Sequence, residues 1–207
     1  MRFQILKSLA VGLLLSGVGN IFSQEVTTFI IKGQVVEVED QDNLLEGGIK
    51  VGDAVKGRIK FHHAAADQNV DPTVGDYRYH QTPGGMWVKI NRYLFKPDPA
   101  QRDFLVELVN RPPAQLGDAL VFRSYENIFP LPLEENHISW QLDDPTGAAL
   151  ADVNLPSNIN LAAWQQVFAL VLEGTTHPPR MPDKKLFIRA TITKVLLPQS
   201  RGRNAKR

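Results

Sequence analysis

Two acidic stretches of the chain carry side chains that could bind a metal ion. The candidate ligands are Asp40 and Asp42 in the first stretch and Asp67, Asp71 and Asp76 in the second. Calcium takes about six to eight oxygen ligands from carboxylates and carbonyls, so it is the metal that such loops suit best. Neither stretch has the helix-loop-helix spacing of an EF-hand. The sequence therefore predicts no cofactor except for calcium at these loops, and the alternative is a pair of solvated acidic turns.

Aromatic side chains offer a second way to bind a ligand, because sugar-binding proteins stack pyranose rings on exposed tryptophan and tyrosine. Trp87 follows two glycines and is the best candidate for exposure. Tyr77 and Tyr79 share one face of an extended segment and are further candidates. Trp140 lies within an apolar alternation, which is typical of the core. We therefore expect Trp87, Tyr77 and Tyr79 to be the ligand-binding candidates and Trp140 to be buried.

Catalytic motifs are missing from the sequence. No Gly-x-Ser-x-Gly elbow occurs, and Ser124 lies in an extended segment, where we expect its hydroxyl on the sheet surface. The acidic pairs at 134–135 and 143–144 are neighbours on extended chain, so their side chains point to opposite faces. Asp144 before a proline predicts an Asx turn. The histidines do not have zinc spacing. The sequence thus predicts a protein that is not an enzyme and has no catalytic residues.

The elements that would position these residues are strands. Between residues 53 and 62, apolar or glycine positions alternate with lysine and arginine, which is the period of a half-buried strand. Comparable stretches are separated by turns rich in proline and glycine. The predicted strands are 26–39, 53–62, 76–81, 86–95, 104–109, 119–125, 138–142, 167–173 and 186–197. The pattern predicts an all-β, two-sheet antiparallel β-sandwich of the jelly-roll kind, with at most one short helix at 161–166.

The first and last predicted strands have a similar length and alternation. Residues 29–36 read FIIKGQVV and residues 187–193 read FIRATIT. We therefore expect the two strands to pair near one edge of a sheet.

The chain divides into three predicted parts. Residues 1–24 have the pattern of a signal peptide, since Arg2 and Lys7 precede a short apolar run and a stretch of small residues. That run is shorter than the roughly 20 residues of a spanning helix, so we expect cleavage near Ser23 or Gln24 and no transmembrane anchor in the mature chain. Residues 25–198 form the predicted sandwich domain, and 199–207 a basic, disordered tail. We expect a periplasmic or extracellular protein that holds no disulfide, because the chain has no cysteine.

The charge of the mature chain is close to zero. The leader holds two of the 23 basic residues and none of the 22 acidic ones, which leaves 21 basic against 22 acidic side chains, a formal charge of −1. Four basic residues lie in the tail, so the domain itself has 17 against 22, or −5. Nucleic-acid surfaces need clustered lysine and arginine. The net charge therefore argues against a nucleic-acid partner and leaves a glycan or an envelope protein as the expected partner.

Five segments follow one another along the chain: FIIKGQVVEVED, KVGDAVKGRIKFHH, AADQNVDPTVGDYRY, DALVFRSYEN and ISWQLDDPTGAAL. Their order resembles that of exported bacterial β-sandwich proteins of the PEP-CTERM-associated kind. The resemblance implies a secreted sandwich from a Gram-negative bacterium. In this sequence the basic cluster at 201–207 follows the last strand without the apolar span of the sorting tail. We therefore expect a protein without that tail.

Three functions are consistent with these observations. The leading hypothesis is an exported, noncatalytic binding or structural protein of the periplasm or cell exterior. The first alternative is a carbohydrate-binding module, assisted by calcium. The second is a hydrolase on a sandwich scaffold, which would require a concave cluster of acidic residues from distant strands.

Overall fold

Strands account for nearly all of the regular structure. The computed structural model describes residues 25–131, 133, 135–167, 169–175 and 184–198. The predicted signal peptide and basic tail lie outside the described residues. The strands of the described residues are β1 (Val26–Glu39), β2 (Ala54–His62), β3 (Val74–Tyr79), β4 (Gly85–Ile90), β5 (Tyr93–Pro97), β6 (Asp103–Val109), β7 (Asp118–Tyr125), β8 (Asn127–Ile128), β9 (Glu135–Asp144), β10 (Gln166–Val167), β11 (Leu170–Thr175) and β12 (Lys185–Leu196).

These strands form an antiparallel sheet that curls into a half-barrel. Its order is β3-β6-β7-β9-β11-β12-β1-β2-β4-β5-β8, with β10 paired to β9. The predicted all-β, antiparallel class is confirmed. The short helix predicted at 161–166 is a single 3-10 turn, Leu161–Ala163, which the Asn160 side chain caps by accepting a hydrogen bond from the Ala162 amide. A second 3-10 turn covers Pro113–Gln115.

The first and last strands pair with each other, as their patterns predict, but not at an edge. β1 lies between β12 and β2 in the middle of the sheet. The β1–β12 register shifts between Lys32 and Gly33. A side chain at Gly33 would overlap the carbonyl oxygen of Thr191, so the close approach of the two backbones requires glycine there.

The concave side of the sheet is filled by aromatic rings from opposite parts of the chain. Phe29 of β1 lies 5.8 Å from Phe61 of β2 and 6.4 Å from Phe122 of β7, measured between ring centroids. Phe122 stacks in turn on Trp140 at 5.8 Å. Trp140 is fully buried, which confirms its predicted place in the core. Since alternate residues of each strand enter this core, the intervening residues point outward and are available for other roles.

Candidate functional site

Seven basic side chains point outward from neighbouring parts of β12, β1, β2, β4 and β5, and we call this surface the basic face. They are Lys32, Lys56, Arg58, Lys60, Lys89, Lys96 and Lys194. Arg189 and Lys185 also point outward from β12, but they lie toward its other end and do not belong to this face. The neighbours of the seven residues along the strands, such as Ile31 and Ile59, are completely buried. The alternation of the strands therefore directs the charged residues away from the core.

Four of these lysines lie directly opposite one another across four strands, and we call them the lysine row. Lys194 is opposite Lys32. Lys32 is also opposite Lys56, which is opposite Lys89. Neighbouring strands are about 4.8 Å apart, so the row is roughly 14 Å long. Like charges directly opposite each other destabilise a sheet. The stability of the fold therefore gives no reason for this arrangement.

The outward positions next to the lysine row on the described strands carry no carboxylate, and Glu37, farther along β1, is paired with Arg189 of β12. The uncharged outward residues here are Val26, Thr28, Ile30, Gln34, Ala54, Trp87, Leu94, Ile128 and Leu196. Exposed charges interact over a Debye length of about 8 to 10 Å, which exceeds the spacing of the strands. The electrostatic potentials of these positive charges therefore overlap and add across the basic face.

Trp87 lies within the basic face beside two guanidinium groups. The Cζ atom of Arg58 is 4.9 Å from the centroid of the Trp87 ring, and that of Arg102 is 5.8 Å away. Arg102 is almost completely buried and donates a 2.6 Å hydrogen bond to the carbonyl of Gly84. Burial lowers the pKa of Arg102. Both contacts have the geometry of a cation–π interaction, and the Trp87 ring is left half-buried at the surface.

Tyr77 and Tyr79 share one face of β3, as the alternation predicts, but that face is the buried one. The hydroxyl of Tyr77 donates to the carbonyl of Val153 at 3.0 Å, and that of Tyr79 donates to the carbonyl of His62 at 2.9 Å. Burial raises the pKa of both phenols. Neither ring offers a surface on which a sugar could stack, so of the three aromatic candidates only Trp87 lies at the surface.

In the first acidic stretch, Asp40 is used to hold a turn. Its two carboxylate oxygens accept hydrogen bonds from the backbone amides of Leu44 and Leu45, at 2.7 and 2.8 Å. Asp42 is exposed. The Asp40 carboxylate therefore points toward its own backbone.

The second acidic stretch is a series of Asx turns. Asp67 accepts hydrogen bonds from the amides of Asn69 and Asp76, both at 2.9 Å. Asp71 accepts from the amide of Thr73 at 2.9 Å and from its hydroxyl at 2.7 Å. These hydrogen bonds lower the pKa of Asp71. The carboxylates thus have a local structural role that requires no metal.

Arginines lie next to two of the same carboxylates. Nη2 of Arg111 is 3.1 Å from Asp71, and Nε of Arg78 is 3.9 Å from Asp76. Within the described parts of the chain, no group of three or more histidine, aspartate or glutamate side chains is arranged to hold a metal ion. Calcium binding stays a prediction, to be tested in solution.

An acidic cleft of about 1000 Å³ opens near the C-terminal end of β1. Its carboxylates come from distant parts of the chain and are Glu39, Asp42, Glu126, Glu135 and Glu173. All five residues are exposed. His137 also lines the cleft, with Nε2 3.7 Å from Glu173. The cleft matches the concave acidic cluster that the hydrolase hypothesis requires, although a general acid works best when its carboxyl group is held away from water.

Contrary to the prediction, Ser124 does not lie on the sheet surface. It is fully buried, and its Oγ donates a 2.6 Å hydrogen bond to Oδ1 of Asn127. The side chain points to the core side of β7, the same side as Phe122. The predicted Asx turn at Asp144 is present, because the Asp144 carboxylate accepts from the amide of Thr146 at 3.0 Å.

The basic face is the feature that the sequence did not reveal. The alternating Lys56, Arg58 and Lys60 of β2 were a partial signal, since they mark a charged outer surface on one strand. The lysine row also needs Lys32, Lys89 and Lys194, and these become neighbours only through long-range strand pairing.

The fold and the basic face define an all-β protein with one strongly positive outer surface. No protein family, curated protein or solved structure that we compared with the chain matches it. Within the residues that the structure describes, no helix combines the length and apolar character needed to cross a membrane. A function for this chain must therefore be argued from its surfaces.

Proposed function

We propose that this protein is an exported, noncatalytic binding protein whose basic face binds an anionic component of the cell envelope. The lysine row is the observation that carries this proposal. Export is supported by the leader pattern at 1–24 and by the resemblance to PEP-CTERM-associated proteins. The face gathers seven of the 17 basic residues of the 25–198 segment, although that segment has a net charge of −5.

An anionic ligand would relieve the repulsion within the row. In the free protein Lys56 lies between Lys32 and Lys89, and each adjacent pair costs free energy. A ligand with repeated negative charges would remove this cost and add direct attraction. Lysine is a compact point charge without the planar fork of arginine. A face built mainly from lysine therefore suits an array of charges better than one bidentate carboxylate.

The test measures the retention of the mature protein on immobilised heparin, which serves as a polyanion without lipid. We expect retention at low salt despite the formal charge of −1, and elution by moderate salt because the contacts are exposed. The double variant Lys56→Gln/Lys89→Gln should elute at clearly lower salt.

The matched control is Arg123→Gln/Lys185→Gln, which removes two positive charges outside the basic face. Arg123 points outward from β7, and Lys185 lies at the other end of β12 from Lys194. The control should elute as the wild type does. Equal shifts for both double variants would mean that overall charge, and not the basic face, governs binding, and would refute the proposal.

The acidic cleft favours a second candidate function, a hydrolase. The observation that favours it is the convergence of five carboxylates, three from strands β1, β9 and β11 and two from loops. Glu173 beside His137 is the pair to test. Hydrolysis of a polysaccharide substrate that Glu173→Gln abolishes, and that Lys56→Gln leaves intact, would favour the hydrolase over the noncatalytic proposal. The carbohydrate-binding alternative depends on Trp87, because Tyr77 and Tyr79 are buried.

We also infer that the curled sheet corresponds to the two layers of a jelly-roll-like sandwich. The 6.4 Å contact between the rings of Phe29 in β1 and Phe122 in β7 supports this, because the two strands are separated by several others in the sheet order. An experimental structure would test it through the continuity of pairing between β11 and β12.

A further inference from the structure

We infer that the anionic partner of the basic face is a phospholipid membrane surface, into which apolar side chains of the same face insert. This inference rests on the proposed function and names the partner. It follows from three features of the face: apolar residues among the cations, an interfacial tryptophan, and the two-dimensional spread of charge.

Exposed apolar side chains are interleaved with the charges. Leu94 is 44% exposed and lies directly opposite Lys89. Ile128 is 40% exposed and lies directly opposite Lys96. Leu196 is 39% exposed at the other side of the face. A purely electrostatic site for a hydrated polymer gains no affinity from exposed apolar residues. A site at a membrane interface combines the burial of apolar side chains with attraction to anionic lipids.

The second feature is the position of Trp87. Its ring is half-buried beside the guanidinium of Arg58, and Arg58 lies opposite both Trp87 and Ile30. Tryptophan is enriched at the level of lipid headgroups because its ring is largely apolar and its N–H is polar. Trp140 and Trp164 are buried, so Trp87 is the tryptophan of the chain that a bilayer would reach.

The third feature is the shape of the charge distribution. Beside the lysine row, Arg58 forms part of the next row along the strands, and Lys60 lies in the row after it. Successive outward residues of a strand are about 7 Å apart, so the charges cover an area and not a line. A linear polyanion would neutralise one row at a time. A lipid leaflet presents headgroups in two dimensions and would meet all the rows together.

The experiment measures binding of the mature protein to unilamellar vesicles made from equal parts of phosphatidylglycerol and phosphatidylcholine. We expect binding to these vesicles and none to phosphatidylcholine alone. Each lysine near an anionic surface contributes about fivefold in affinity, so Lys56→Gln/Lys89→Gln should weaken binding by roughly 30-fold. Brominated phosphatidylglycerol should quench tryptophan emission on binding, and Trp87→Phe should remove the quenched signal.

A second variant separates lipid from other polyanions. Leu94→Gln/Leu196→Gln keeps every charge and changes two exposed residues, so it should fold normally and bind vesicles several-fold more weakly while binding heparin as the wild type does. Leu116→Gln, at an 88% exposed residue outside the basic face, is the matched control and should change neither.

The outcomes distinguish this inference from the proposed function. Binding to heparin, polygalacturonate or single-stranded DNA without binding to anionic vesicles would overturn the membrane inference and leave the proposed function standing. Vesicle binding that the leucine changes do not weaken would overturn the insertion of apolar residues. Failure to bind any of these anionic probes would overturn both.

Discussion

Lys56, like Lys32, has a like charge opposite it on both neighbouring strands. Lys56→Gln removes two repulsive pairs, so we expect it to stabilise the fold by about 0.5 kcal/mol, or roughly 1 to 2 °C in Tm. Thermal unfolding at low salt measures this, and high salt should reduce the gain. Lys185→Gln, in the acidic cleft, should give no gain. A loss of stability in Lys56→Gln would show that the lysine row supports the fold.

Asp144 has the opposite role, since its charge stabilises the folded state. Its carboxylate accepts hydrogen bonds from the Thr146 hydroxyl, at 2.6 Å, and from the amide of Ala148, at 2.8 Å. These hydrogen bonds lower the pKa of Asp144 in the folded protein. Its contribution to stability is therefore fully present above the unfolded pKa of about 4 and is lost as the pH falls through the lower folded value.

Asp144→Asn should for that reason be less stable than the wild type at neutral pH, with the difference shrinking below about pH 4. Urea unfolding midpoints over a pH series measure the difference. Asp42→Asn, at an exposed residue, is the control and should follow the wild-type profile. A difference for Asp144→Asn that stays constant with pH would contradict the assigned cause.

At the scale of elements, the pairing of β1 with β12 depends on Gly33. A methyl group there would meet the backbone of Thr191, which cannot move without disturbing both strands. Gly33→Ala should therefore lower stability by roughly 2 kcal/mol, within the usual range for overpacking. Gln34→Ala at the next, exposed position removes one exposed hydrogen bond, to the carbonyl of Gly52, and should cost at most about 1 kcal/mol. Chemical denaturation compares the two, and similar losses would mean that the strand pair tolerates a side chain at Gly33.

Three of the five candidate calcium ligands already accept hydrogen bonds from the backbone of their own turns. Because Asp40, Asp67 and Asp71 accept backbone hydrogen bonds, we expect millimolar calcium to leave the Tm of the mature protein unchanged. Differential scanning fluorimetry with and without a chelator measures this. An upward shift in Tm with calcium that Asp71→Asn or Asp40→Asn removes would show that calcium binds at the two acidic stretches.

Most strands were predictable because their alternation is local. The predicted strand 86–95 is an exception, since it is a hairpin of β4 and β5. Its turn reverses at Asn91, which has a φ of +52°. Asparagine tolerates this conformation, and no glycine or proline marks the turn. The apolar alternation therefore continues across the turn, and the sequence predicts one strand where the structure has two.

The candidate site was less predictable for a related reason. A strand pattern identifies which residues point outward, but not which strands lie side by side. Trp87 was recognised as a surface residue from its neighbours in sequence, whereas the burial of Tyr77 and Tyr79 depends on which face of β3 meets the core. Local periodicity places residues on a face and does not decide whether that face is covered.

For the whole molecule, net charge proved a poor guide to the surface. The 25–198 segment sums to −5, yet the acidic cleft and the basic face hold charges of opposite sign in different places. An average over the molecule conceals this separation. The net charge, which argues against a nucleic-acid partner, therefore describes the molecule as a whole and not the basic face.

The position of β12 leads to a prediction for the whole sheet. β12 joins β11 to β1, so a chain that ends at residue 184 lacks the strand that connects the two halves. We expect residues 25–184 to lack cooperative unfolding and to regain it when a peptide of residues 185–198 is added. Circular dichroism during thermal melting measures this. Cooperative unfolding of the shortened chain alone would show that the halves are stable independently.

The central place of β12 also bears on how the protein is made. The strand that completes the middle of the sheet is the last one of the described chain to be synthesised, so the native sheet cannot close while earlier segments emerge from the ribosome. We therefore expect the sheet to stay open until β12 has been synthesised. An open sheet would suit the export that we propose, because a translocation channel accepts an unfolded chain.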